Sequence, residues 1–310
     1  MLRFILRRLL LLIPVMIGVS LIIFLLLHLV PGDPAVMLAG GEQATAEAVE
    51  EMRELMGFND PLPVQYGRWI GDLVIHQDLG TSFIRPVAVI DEIFLRFPAT
   101  LQLALSAVFV STIIGIPIGI ISATKQYSIF DNVSMFIALL GVSMPGFWQG
   151  LLMILLFSVH LEWLPFGGLD GLRYLILPAV TLGTGAAAMV ARMTRSSMLE
   201  VIGQDYIRTA RAKGQTERVI INKHALKNAL IPIITVIGLQ FGFLIGGALI
   251  AESVFTIPGI GRLMVDAINQ RDYPIVQGSV LFVALSFSIV NLLVDILYAF
   301  VDPRIKSQYR

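Results

Sequence analysis

The residue types that do chemistry are thinly spread in this chain, and most sit where they do little. His28, His76, His160 and His224 are the four imidazoles; they are scattered and form no HExxH pair, so the spacing offers no metal site. Cysteine is absent, which removes thiolate ligands, disulfides and cysteine nucleophiles together. Ser143 stands in GVSMPG, which lacks the second glycine of a GxSxG nucleophile turn; it reads as a helix-packing serine beside Pro145. A Walker A cradle needs glycine followed by lysine, and that dipeptide does not occur. Any energy the protein uses therefore comes from another polypeptide or an ion gradient. Among the apolar runs only Asp295 lies deep, with Asn291 one turn away on the same face. That pair is either a structural hydrogen-bonding unit or part of an ion or gating path. Glu252, at the outer end of another apolar run, reads as an interfacial charge in preference to a substrate contact.

One cluster is denser. From Asp205 to Thr235 the chain reads DYIRTARAKGQTERVIINKHALKNALIPIIT. A short helix puts Tyr206, Ala210 and Lys213 on one side, while Arg208, Arg211 and Arg218 supply charge elsewhere, with Asp205, Thr209 and Ala212 completing it. Gly214 is placed to end that helix as a left-handed cap. A second helix leads through His224, Asn228 and Pro232 into the next apolar run, where His224 buttresses the segment. A loop lying on anionic headgroups would explain the arginines and lysines. It would not explain a helix, a glycine stop and this length.

The elements that must hold this cluster are membrane spans. Hydrophobic residues make up 56% and charged residues 14% of 310 positions, and mean hydropathy is +0.81; lipid is the solvent such a chain requires. Basic and acidic residues cancel at 22 each, which argues against a nucleic-acid partner. Runs long enough to cross about 30 Å of hydrocarbon fall near 9–30, 100–123, 133–159, 175–195, 229–252 and 276–300. The first follows Arg3, Arg7 and Arg8 but is too long for a signal-peptide core, so it reads as an uncleaved span. The 1–99 stretch is then a span plus an extracytoplasmic segment, in which Thr45–Phe58 looks helical with Val49, Met52, Leu55 and Met56 on one face. Residues 100–303 form the core, with a 192–228 loop, and 304–310 a cytoplasmic tail. Placing the termini and the 124–131 and 192–228 loops in the cytoplasm assigns that side 15 basic and 5 acidic residues, as the positive-inside rule demands. Prolines 14, 117, 145, 178 and 232 fall in or beside spans and are expected to kink them. Gly238, Gly242 and Gly246 recur every four residues, giving a bare ridge for close approach. The ridge serves packing within the chain, or a surface against a second membrane subunit or the moving pathway.

The 205–232 segment resembles the cytoplasmic EAA loop of binding-protein-dependent ABC importer permeases, in the RTARAKG...HALKNALIP form of the dipeptide, oligopeptide, glutathione and nickel group. LVPGDPA (29–35), DLGTS (78–82), ARMTRSSMLEV (191–201), FTIPGIGRL (255–263), RDYPIVQG (271–278) and VDPRI (301–305) are similar to the same group, in the same order along nearly the whole chain. The sequence departs from the general EAA pattern at Arg208 and Thr209 and in the greater distance from Gly214 to Pro232, variation typical of the peptide branch. The resemblance implies an all-α, six-span type I ABC importer transmembrane domain in the plasma (inner) membrane. It implies a second homologous permease, two cytoplasmic ATPase subunits that carry the ATP and Mg, and an extracytoplasmic solute-binding protein; no cofactor is expected on this chain. The helix around Asp205–Gln215 is then the coupling helix that docks into an ATPase groove. The cargo implied is a dipeptide or oligopeptide, with glutathione and nickel behind.

Overall fold

The computed structural model describes residues 2–29 and 32–301. The 304–310 tail and most of VDPRI lie outside the described residues. Among those residues five helices are long and apolar enough to cross a membrane. The first is α1 (Leu2–Leu29). It is followed by an extended segment carrying α2 (Pro34–Leu38), α3 (Ala46–Met56) and α4 (Leu62–Gly71). The long α5 (Val89–Thr124) comes next. At 36 residues it runs about 54 Å, well beyond what a bilayer core needs.

The third expected crossing is not one helix. It is α6 (Ile129–Ser143) and α7 (Gly146–Met153), the latter prolonged by a π-helical stretch Ile154–His160. Pro145 offers no amide to the preceding turn, and a residue before proline is driven out of the α region; Met144 accordingly lies extended at φ −80°, ψ 129°. The chain then forms α8 (Leu172–Ile202) and the short α9 (Asp205–Ala212). A single turn, α10 (Glu217–Val219), continues through a π-helical stretch Ile220–Ala225 into α11 (Leu226–Gly247). That fifth crossing stops at Gly247 instead of reaching 252. Beyond it come α12 (Leu249–Val254), α13 (Ile260–Gln270) and the last crossing, α14 (Tyr273–Val301).

The most extensive helix pairing among the described residues is α5 with α8, and bare backbone lets the two approach closely. A Cβ on Gly115 would lie 2.7 Å from the Val190 Cβ, and one on Gly119 would lie 2.7 Å from the Ala191 carbonyl oxygen. In lipid, where apolar surfaces gain nothing by leaving the solvent, this kind of intimate van der Waals packing is what holds helices together. The Gly238, Gly242 and Gly246 ridge of α11 meets α14 of the same chain, facing Val294, then Phe287 and Val290, then Val283.

These contacts run α11 antiparallel to α14 and fix two ends of the bundle. At one lie α9, the α5–α6 turn and the helix ends joined by Arg8 of α1 and Asp295 of α14, 2.8 Å apart. At the other lie the 32–88 segment, the 161–171 loop, and α12 and α13. There Asp33 caps α2 through the Ala35 amide at 2.9 Å and accepts from Arg53 at 2.8 Å. Asp272, which is buried, accepts from the Ser82 hydroxyl and from the Phe83 amide at 3.0 Å, so DLGTS and RDYPIVQG meet. In α3, capped by Thr45 and ended by Gly57 at φ +68°, Val49 and Met52 are half-buried. Leu55 is 74% exposed, so the apolar face expected there is only partly covered.

Glu252 is not the interfacial charge expected from its place at a span end. It is wholly buried, accepting from the Thr100 hydroxyl at 2.6 Å and the Arg262 amide at 3.0 Å. The Thr100 oxygen in turn accepts from the Ile260 amide at 2.9 Å. Hydrogen bonding from α5 and α13 is what makes a buried carboxylate tolerable.

Candidate functional site

The 203–225 segment forms a discrete body at its end of the bundle. Gln204 precedes α9 in an extended conformation, Asp205 occupies the first turn and Arg211 the last, each favourable to the helix dipole. Gly214 takes φ +75°, and its amide donates to the Arg211 carbonyl at 2.9 Å while that of Gln215 returns to Ala210 at 3.3 Å. The glycine thus closes the helix in the left-handed conformation that costs other residues most.

Eight residues are too few for a helix to stand alone in water, so packing has to hold it. The side turned to the bundle carries Ile207 and Ala210, a direction that the sequence had not assigned. Ile207 is fully buried in a cluster with Met198 of α8, Ile220 and Ala225 of the π-helical stretch, and Ala229 and Ile233 of α11. Tyr206 is 44% exposed, yet its hydroxyl oxygen accepts from the Asn228 side-chain amide at 2.8 Å. His224 pairs with Gln215 at 2.7 Å through Nε2. Pro232 lies within α11 one turn beyond Asn228. The signal for Ile207 was present: it is the one large aliphatic side chain of DYIRTARA, spaced three from Ala210.

The opposite side is polar and open. Arg208, Thr209, Arg211, Ala212, Lys213 and Arg218 are all exposed. Arg208 approaches Asp205 only at 3.5 Å, while Arg211 is bidentate to Glu217 at 2.6 and 3.2 Å. That carboxylate holds the Arg211 guanidinium still further above its ordinary range. One face is therefore bolted to α8 and α11 while the other presents a rigid, mainly cationic ridge. Such a body can pass a push to two crossings at once.

A second fixed point lies at the same end, and nothing in the sequence singled it out. Asp131, at the start of α6, is 2% exposed and accepts from Arg195 of α8 at 2.9 and 2.8 Å, from the Ser122 hydroxyl of α5 and from the Tyr127 amide at 3.0 Å. The Arg195 guanidinium, and after it the Ser122 hydroxyl, hold its carboxyl far below the usual carboxylate range. Three helices are pinned by one side chain. Asp295 is likewise partnered, by Arg8, a pairing that its isolation in the sequence concealed; the Asn291 carbonyl oxygen beside it is buried with no hydrogen-bond partner.

Residues 115–307 match the family described as the binding-protein-dependent transport system inner membrane component, and residues 1–104 the N-terminal family of such membrane components. The chain is 47% identical to the dipeptide transport system permease protein DppB of Alkalihalophilus pseudofirmus, over 99% of this chain and 100% of that one. It is 45% identical to the glutathione transport system permease protein GsiC of Escherichia coli O6:H1, over 99% of each. A solved structure of inward facing conformations of the MetNI methionine ABC transporter shares the fold, with a TM-score of 0.57 at 23% identity over 68% of this chain and 96% of that chain.

Proposed function

The chain belongs to the family of binding-protein-dependent transport system inner membrane components, and from that membership we propose that it forms, with a second permease, the path for short peptides through the plasma (inner) membrane. An extracytoplasmic solute-binding protein delivers the cargo to the α3 end. Two ATPase subunits, which carry ATP and Mg, sit at the α9 end. Both termini then face the cytoplasm, in keeping with the 15 basic residues on that side. Near-equal likeness to dipeptide and glutathione permeases keeps the cargo a small peptide, glutathione being itself a tripeptide.

The observation that carries the reading is α9 itself: an eight-residue helix anchored by Ile207 and Ala210, with its mainly cationic side exposed. It is the coupling helix, seated in a groove of an ATPase subunit. Closure of the ATPase pair moves α9 as a rigid lever, and the buried cluster passes that motion to α8 and α11, a two-state change of packed elements and not a gradual deformation. His224, Asn228 and Pro232 support the lever from the α11 side. The Gly238, Gly242 and Gly246 ridge keeps α11 and α14 moving together, and Arg8 with Asp295 pins α1 to α14, a structural role and not an ion path.

Deletion of Asp205–Gln215 tests this. The shortened chain is expected to insert in the membrane and to lose the ATPase on co-purification; undiminished capture of the ATPase would contradict the docking.

A further inference from the structure

At the α3 end, α1, α3, α4 and the start of α14 surround a cavity of about 600 Å³, a size typical of small-molecule sites. Its walls are aromatic: Phe24, Phe58, Trp69, Phe83 and Tyr273. The rings brace one another, Phe24 stacking on Trp69 at 6.2 Å and Phe83 tilting against Tyr273 at 6.5 Å between centroids.

The polar groups are unevenly matched. Asp33 is neutralised by Arg53 and Asp60 by Arg68. Asp72 and Asp78, which also line the cavity, have no arginine or lysine partner among the described residues. Asp72 has only the His76 ring at 3.3 Å, and Asp78 accepts only the Gly80 amide at 2.8 Å. The two spring from one closed turn, since the Asp78 amide donates to the Asp72 carbonyl at 3.2 Å. The wall therefore carries two carboxylates without a direct arginine or lysine partner, while the Arg271 guanidinium lies against Gly32 at its edge.

Hydrogen-bonding capacity is also unspent. Gln277 of α14 lines the cavity and is only 8% exposed, yet its side-chain amide has no hydrogen-bond partner among the described residues. The Trp69 indole N–H is buried and likewise unpartnered. Native proteins seldom leave such groups idle. A metal ion does not suit the donors, because no three His, Asp or Glu side chains converge as ligands among the described residues. An organic cation does: carboxylates and aromatic faces both attract an ammonium, aromatic walls accept an apolar side chain, and two N–H donors remain for a carbonyl.

We propose that this cavity recognises the amino-terminal end of a short apolar peptide. The ammonium pairs with Asp72 and Asp78, the first side chain lies among the rings, and the first peptide carbonyl accepts from Trp69 and Gln277. Only the ligand's being a peptide rests on the transport reading. The site is independent of α9.

The test uses the full chain in lipid nanodiscs, with Trp148→Phe and Trp163→Phe so that Trp69, the remaining one of three tryptophans, reports by fluorescence. Leucyl-leucine should give a saturable change, and N-acetyl-leucyl-leucine should bind at least tenfold more weakly. The D72N/D78N variant should lose at least tenfold for the free peptide, and Gln277→Leu several-fold, with melting temperatures close to the parent. Equal binding of the acetylated peptide, no saturable change, or an indifferent double variant would overturn the proposal, and the first two comparisons need no further mutation. ATPase capture by the same preparation separates the two readings: capture without peptide binding sinks the cavity assignment alone, whereas peptide binding without capture sinks the coupling role alone.

Discussion

Replacing Ile207 with alanine removes the main apolar anchor of α9. The side chain is fully buried among Met198, Ile220, Ala225, Ala229 and Ile233, so truncation costs the transfer of three carbon groups plus the void they leave, about 2–5 kcal/mol. The remaining buried contact of α9 is Ala210, too small to compensate. Because an isolated eight-residue helix has no stability of its own, that energy comes off the local docking equilibrium; even 2 kcal/mol multiplies the undocked population by about 30. Hydrogen–deuterium exchange of the 205–213 amides should accelerate by at least that factor while the α5 and α8 amides stay protected. ATP hydrolysis in the assembled transporter should persist with transport lost. Arg208→Ala, on a side chain 74% exposed, should leave exchange unchanged. If I207A exchanges no faster than the parent across 205–213, the helix is not held by this cluster and the lever account fails.

Three further outcomes are expected. Gly119→Val should separate α5 from α8 at the Ala191 carbonyl and Thr194, costing roughly 1–3 kcal/mol as overpacking does and lowering the melting temperature in detergent. Asp131 has a depressed folded pKa, so its stabilisation is fully present above the ordinary carboxylate value near 3.9 and fades as pH falls toward the lower folded one. The melting difference between the parent and Asp131→Asn should therefore be constant from pH 8 to about pH 5 and narrow only below about pH 4. Glu252→Ala should leave the Arg262 amide and Thr100 hydroxyl without their acceptor, costing about 1–3 kcal/mol for each buried group left unpaired; limited proteolysis of 255–262 should speed up, and unchanged cleavage would mean the carboxylate is not what holds that loop.

Apolar run length fixed where the chain crosses lipid, because no other segment can leave its backbone in hydrocarbon. The basic segment and its glycine stop were equally local, since Gly214 needs only its own backbone to take φ +75°, and the ordered motifs carried the family. What stayed hidden depends on which helices become neighbours. Composition could not reveal that Asp131 would find Arg195 and Ser122, that Asp295 would find Arg8, or that Glu252 would be sealed beneath Thr100 and Arg262. A lone charge in an apolar run looks the same whether it faces water, lipid or an arginine 287 positions away. Hydropathy also ran Met144 and Pro145 into one continuous span, because averaging over a window registers greasiness and not a missing amide; the proline announced a kink, and only the structure showed the helix divided there. Ile207 shows the divide within one helix: its type was plain in the sequence, but the direction it faces was set by the cluster that buries it.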